Sequence, residues 1–126
     1  MKESGAYYDS DTKAAIGLFR GFVTSDKFKE IANELHEIRK KNYSSKQLNN
    51  ISDMKVLTQD VQQWLNNVWF PKAKITGLKT FAFVIPKDVF GKMSMESANS
   101  NSQITQGIEI QYFDDETKAK TWLNSK

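Results

Sequence analysis

Leu78-Lys79-Thr80-Phe81-Ala82-Phe83-Val84-Ile85 is apolar at six of its eight positions and is fenced by Gly77 and Pro86. A near-continuous apolar run this short, held between two breakers, predicts a strand buried on both faces. Such a strand is dry on both sides only where helices cover both sides of its sheet. The fold class is therefore α/β.

The flanking segments extend this reading. Ala6-Tyr7-Tyr8 and Ala14 to Phe19 are two strands joined by Asp9-Ser10-Asp11-Thr12-Lys13. A link this short permits an antiparallel hairpin and no parallel crossover. Phe28, Ile31, Ala32, Leu35 and Ile38 recur at three- and four-residue steps, predicting a helix capped by Thr24 or Ser25. Gln47 to Ile51 is a third strand interrupted by Asn49 and Asn50, residues unfavourable in a strand unless the polar position has another purpose. A second helix starts near Thr58, buries Val61, Trp64, Leu65 and Val68, and stops or kinks before Pro71, with a short helical turn closed by Gly77.

After the apolar strand, Lys87-Asp88 opens a helix to about Met95 that buries Val89, Phe90 and Met93, and Asn99 to Gly107 is polar and mobile. Ile108, Ile110 and Tyr112 alternate with polar residues, the pattern of a strand near a sheet edge. Asp114 or Asp115 caps a last helix with Ala119, Trp122 and Leu123 facing inward. The predicted order is β-β-α-β-α-β-α-β-α. It forms a single layer of mainly parallel sheet, about five strands with the first two a hairpin, with helices packed on it. Residues 1–126 make one domain, of which 1–5 are expected to be frayed.

Composition narrows the function classes. The chain has no cysteine, which excludes disulfides, thiolate metal sites and a cysteine nucleophile. Its net charge of +3, from 18 basic and 15 acidic side chains, is too small a bias to predict nucleic-acid binding. The densest basic run, Arg39-Lys40-Lys41, lies at a helix end where the dipole favours cations, and reads as a solvated terminus. Glu37 precedes Lys41 by four residues, the favoured order for a helical ion pair. No apolar run approaches membrane-span length and Met1 to Gly5 lacks a signal-peptide pattern, so a cytoplasmic location is expected.

Across nearly its whole length the chain resembles the SpoIIAA-like proteins of the STAS superfamily, a fold distantly similar to that of lipid-binding SEC14-type domains. The resemblance rests on Gly21-Phe22-Val23-Thr24, on Trp64-Leu65 with Trp69-Phe70-Pro71, and on Gly77-Leu78-Lys79. It continues through Val89-Phe90-Gly91-Lys92-Met93-Ser94 and Phe113-Asp114-Asp115 with Ala119, Trp122 and Leu123. These are packing and capping positions, so they speak to fold far more than to activity. The resemblance implies a non-enzymatic module that binds a protein partner, a second copy of itself or a small apolar ligand. It also implies an alternative, a regulator of the anti-anti-sigma type switched by phosphorylation in a turn after the third strand. Here that region reads Asn50-Ile51-Ser52-Asp53-Met54-Lys55, which offers Ser52, with Thr58 further on, but lacks the relatives' Asp-Ser pair and following glycine.

No catalytic set is legible, and neither a cofactor nor a metal is implied. His36, the only histidine, lies beside the apolar stripe of its helix and reads as exposed. Asp114-Asp115-Glu116 is explained by helix capping. Trp64 and Trp122 read as core, while Trp69 and Phe70, where the second helix breaks, read either as core or as an apolar ligand or subunit surface. Ligands of parallel sheets gather at the strands' C-terminal ends. That rule adds Asn50, Ser52, Asp53, Lys87 and Asp114 to the candidate binding residues.

Overall fold

A computed structural model of the chain describes residues 4–54, 58–88 and 107–126. Its five strands are β1 (Gly5–Asp9), β2 (Ala14–Gly21), β3 (Lys46–Met54), β4 (Thr80–Val84) and β5 (Glu109–Phe113). They pair in the order β1-β2-β3-β4-β5, antiparallel between β1 and β2 and parallel elsewhere. The 78–85 run is an interior strand with a neighbour on each side, although β3 holds the middle of the sheet. The edge position of β5 agrees with its alternating pattern.

Alternation along the strands divides the apolar residues between two layers. Ala15, Phe19 and Phe81 face one side, where they pack with α1 (Ser25–Lys41) and with a helical segment made of α2 (Gln59–Trp64), a π-helical turn (Leu65–Trp69) and α3 (Phe70–Ile75). Ile16, Leu48, Ala82 and Val84 face the other side and meet Ala119 and Leu123 of α4 (Glu116–Asn124). Helices on both faces account for the dryness of β4. The predicted helix from Lys87 to Met95 and the polar stretch from Asn99 lie outside the described residues, apart from Lys87, Asp88 and Gly107.

Three local readings are corrected. Residues 4 and 5 are not frayed: Gly5 opens β1, and the Ser4 hydroxyl accepts from the Arg20 amide at 2.8 Å. Strand β3 runs on to Met54, so Ser52 and Asp53, as well as Asn50, lie in the strand and not in a loop after Ile51. Glu37 pairs with Lys40 at 3.7 Å, one turn face away from the expected Lys41.

The helix ends follow cap chemistry. Thr24 accepts from the Lys27 amide at 3.1 Å and Asp115 from the Lys118 amide at 3.1 Å. Helix α3 closes with Leu78 N–H on the Ala73 carbonyl and Gly77 N–H on the Lys74 carbonyl, with Gly77 at φ +94°. Helix α1 closes with the same pair of bonds, Ser44 to Arg39 and Tyr43 to Lys40, but puts Tyr43 at the left-handed position with φ 53°. Tyr43 is 97% exposed and loses no burial when truncated. Tyr43→Gly is therefore expected to stabilise the protein by about 1 kcal/mol, read as a higher urea midpoint with an unchanged slope.

Candidate functional site

Pro71 shapes the site from within the helical segment. A proline ring collides with the carbonyl four residues earlier and brings no N–H of its own. Of the two outcomes the sequence allows, a stop or a kink, the helix does not stop there; it widens. Phe70 N–H reaches back five residues to the Leu65 carbonyl, the signature of a π-turn that inserts one extra residue. One inserted residue turns the apolar stripe by about 100°. Val61, Trp69, Phe70 and Ala73 are consequently buried. Trp69 is 1% exposed, while Val68, expected in the core, is 50% exposed. Trp64, expected in the core, is only half-buried, as is Trp122 of α4.

Trp69 is the centre of an aromatic cluster. Its indole N–H donates to the Ala32 carbonyl of α1 at 2.7 Å. Phe70 meets it edge-on at 5.0 Å and Phe81 packs at 5.6 Å. Along the sheet, Phe81 stacks on Phe83 at 4.2 Å and Phe83 on Tyr112 at 5.4 Å.

Between this cluster, α1 and the sheet lies a cavity of about 40 Å³. That is room for a few waters or one short apolar group. Phe81 and Phe83 form its floor, Phe28 and Ala32 one wall, and the π-turn the other through Leu65, Trp69 and Phe70. Ile51 and Met54, at the C-terminal end of β3, are half-buried and also line it. A bulge makes this possible: Leu18 pairs with Asn50 but Arg20 with Asp53, so β3 carries an extra residue that turns both Ile51 and Met54 to the same side. The register Gly21–Met54 leaves Phe22, 83% exposed, just beyond that end of β3.

Among the described residues that line it, Asn49 and the indole N–H of Trp69 are the polar groups, and the indole is already bonded to Ala32. Asn49 is 5% exposed and needs Gly17 beside it, since a Cβ there would come within 2.9 Å of Asn49 Oδ1. Behind it runs a buried polar chain. Arg39 Nε donates to Gln47 Oε1 at 2.9 Å, and Gln47 Nε2 donates to Asn49 Oδ1 at 3.0 Å. Arg39 also donates to Thr76 Oγ1 at 3.4 Å and to His36 Nδ1, and its guanidinium lies 5.9 Å from the centre of the Trp69 ring.

Arg39 and His36 correct the reading of α1. Neither is solvated: both are fully buried, and His36 stacks on Trp69 at 4.7 Å. Burial, reinforced by the charge of Arg39, pushes the imidazole pKa down to about 3, so His36 is neutral at physiological pH. Because Arg39 can only donate, Nδ1 accepts and the ring proton sits on Nε2, which has no hydrogen-bond partner among the described residues. Burial lowers the guanidinium pKa to about 10, which leaves it cationic at neutral pH.

A family model described as SpoIIAA-like matches residues 18–124 of the sequence. The chain belongs to the SpoIIAA-like family. A solved structure from Shewanella loihica PV-4, an uncharacterized protein of the DUF3478 family described as having a SpoIIAA-like fold, is similar with a TM-score of 0.59. That likeness spans 95% of this chain and 91% of that one at 16% identity, and it supports the fold. A search of curated proteins finds no match.

Within this SpoIIAA-like fold the candidate residues do not form one site. Trp69 and Phe70 line the cavity on the α1 side of the sheet. Asn50 and Ser52 alternate to the α4 side, where Asn50 Oδ1 accepts from the Ser52 amide at 3.1 Å and hydroxyl at 2.6 Å. Asp53 pairs with Arg20 at 3.2 Å, and Asp114 with Lys118 at 3.3 Å. Lys87 is exposed beyond β4. Thr58 lies at the N-terminus of α2 and bonds Asp60, where the hydrogen bond holds that carboxyl below its usual range. Among the described residues no helix is long and apolar enough to cross a membrane, and no three His, Asp or Glu side chains group as metal ligands.

Sequence reading missed His36, Arg39, Gln47 and Asn49. A signal was present: Gln47 and Asn49 recur at strand spacing on one face, and His36 and Arg39 at helical spacing on one face. Two polar pairs whose periodicities aim them at a common core require one another.

Proposed function

We propose that this SpoIIAA-like domain is a binding module that takes a small apolar ligand into the cavity beneath the π-turn. The cavity itself carries the reading. It lies at the C-terminal ends of parallel strands, where α/β sheets hold ligands, and it is bounded by a π-turn, a feature frequent at functional sites. Its lining has no acid, base or nucleophile among the described residues, so it is suited to holding a molecule and not to transforming one.

A thermal-shift screen with apolar probes short enough for the cavity, including 1-propanol and cyclopropane, tests this. A ligand present at 100 times its Kd stabilises the folded state by about 2.7 kcal/mol, a rise of several degrees in Tm. Leu65→Trp, which adds bulk at the cavity wall, is expected to abolish that rise. Flat melting curves for every probe, or equal shifts in wild type and Leu65→Trp, would refute the proposal.

A further inference from the structure

The directions of the buried hydrogen bonds determine what the cavity offers a ligand. A guanidinium only donates, so Gln47 must present its oxygen to Arg39 and its amide nitrogen to Asn49. Asn49 must then present its oxygen to Gln47. Its Nδ2 donor is left without a partner among the described residues, on a side chain that lines the cavity. Each link polarises the next, so this last donor is strengthened by the cation behind it.

Among the described residues the cation has no counter-charge. Arg39 is bonded by Gln47, Thr76 and His36 and faces the Trp69 ring, and no carboxylate among the described residues pairs with it. His36 is neutral and contributes none. A buried charge without an opposite partner favours any negative group brought into the same low-dielectric interior.

We propose that the ligand of this cavity is a small apolar carboxylate whose oxygen accepts a hydrogen bond from Asn49 Nδ2. The inference rests on the cavity being an apolar ligand site and adds its head group. An alkylammonium of the same length would meet a donor and a cation with donors of its own. An alcohol could accept the bond but would bring no charge to complement Arg39.

Isothermal titration of the full chain at pH 7.5 with propanoate, 1-propanol and propylammonium, short enough for a cavity of about 40 Å³, separates the cases. Propanoate is expected to bind about tenfold more tightly than 1-propanol, the advantage of a hydrogen bond to an ionised group. Propylammonium is expected to bind more weakly than either. Asn49→Leu, similar in size, is expected to erase the advantage of propanoate and to leave 1-propanol binding within about twofold of wild type. A second readout needs no variant: the Asn49 side-chain amide resonance of the wild type shifts with propanoate in proportion to saturation. If 1-propanol binds as tightly as propanoate, or the Asn49 resonance stays still, the head-group assignment falls while the apolar site stands. If none of the three binds, both fall together.

Discussion

Trp69→Ala is expected to lower stability by about 4 kcal/mol, whereas Val68→Ala changes it by about 0.5 kcal/mol or less. The first removes a fully buried indole, its stacking on His36 and its bond to the Ala32 carbonyl. The second trims a side chain that is half in solvent. Urea unfolding of the two variants checks the pair. The contrast is diagnostic because an uninterrupted α-helix through 59–75 would turn Val68 inward and Trp69 outward, reversing the two losses. In a domain of this size the loss at Trp69 corresponds to a drop of roughly 15 °C in Tm.

Acidification is expected to be the second large effect. The imidazole of His36 titrates near 3 when folded, against an ordinary value of 6.5. Between those limits the unfolded chain binds a proton that the folded chain refuses. Stability is therefore full above pH 6.5 and falls as pH drops toward 3, by about 1.4 kcal/mol for each unit. From pH 7.5 to pH 5 the expected loss is about 2 kcal/mol. Carboxylates held low in the folded state, such as Asp9, lose their contribution only at more acidic pH, so this window belongs to the single histidine. Urea midpoints measured across it should slope in the wild type and be flat in His36→Gln. A flat wild-type profile would mean that the imidazole reaches solvent.

Much of the fold is legible in short patterns. Gly77, Pro86 and the apolar run between them identify an interior strand, and the short link from Ser10 to Lys13 after β1 requires a hairpin. Local spacing and turn chemistry suffice for these because each depends on neighbours along the chain. The site is less legible because a single inserted residue decides it. Pro71 signals a disturbance, but its sequence context does not distinguish a stop from a widening, and only the widening turns Trp69 toward α1. His36 and Arg39 were hidden for a related reason. Helix α1 is covered by the sheet and also by the π-turn, so its buried arc is wider than one apolar stripe and takes in polar residues beside it. Asn49 and Asn50 made β3 look weak, yet the polarity of Asn49, with that of Gln47, is what the buried chain uses.

Under the proposed reading, the same chain of residues would join stability to binding. Gly17 makes room for Asn49, Gln47 orients it, and Arg39 supplies the charge behind it.

A crystal structure determined under xenon pressure reads the cavity itself, since xenon enters dry apolar cavities without needing a hydrogen bond. A xenon atom is expected between Phe28, Trp69 and Phe83, with Trp69 inside and Val68 outside. A cavity closed by Val68, with Trp69 in solvent and no xenon bound, would contradict this placement.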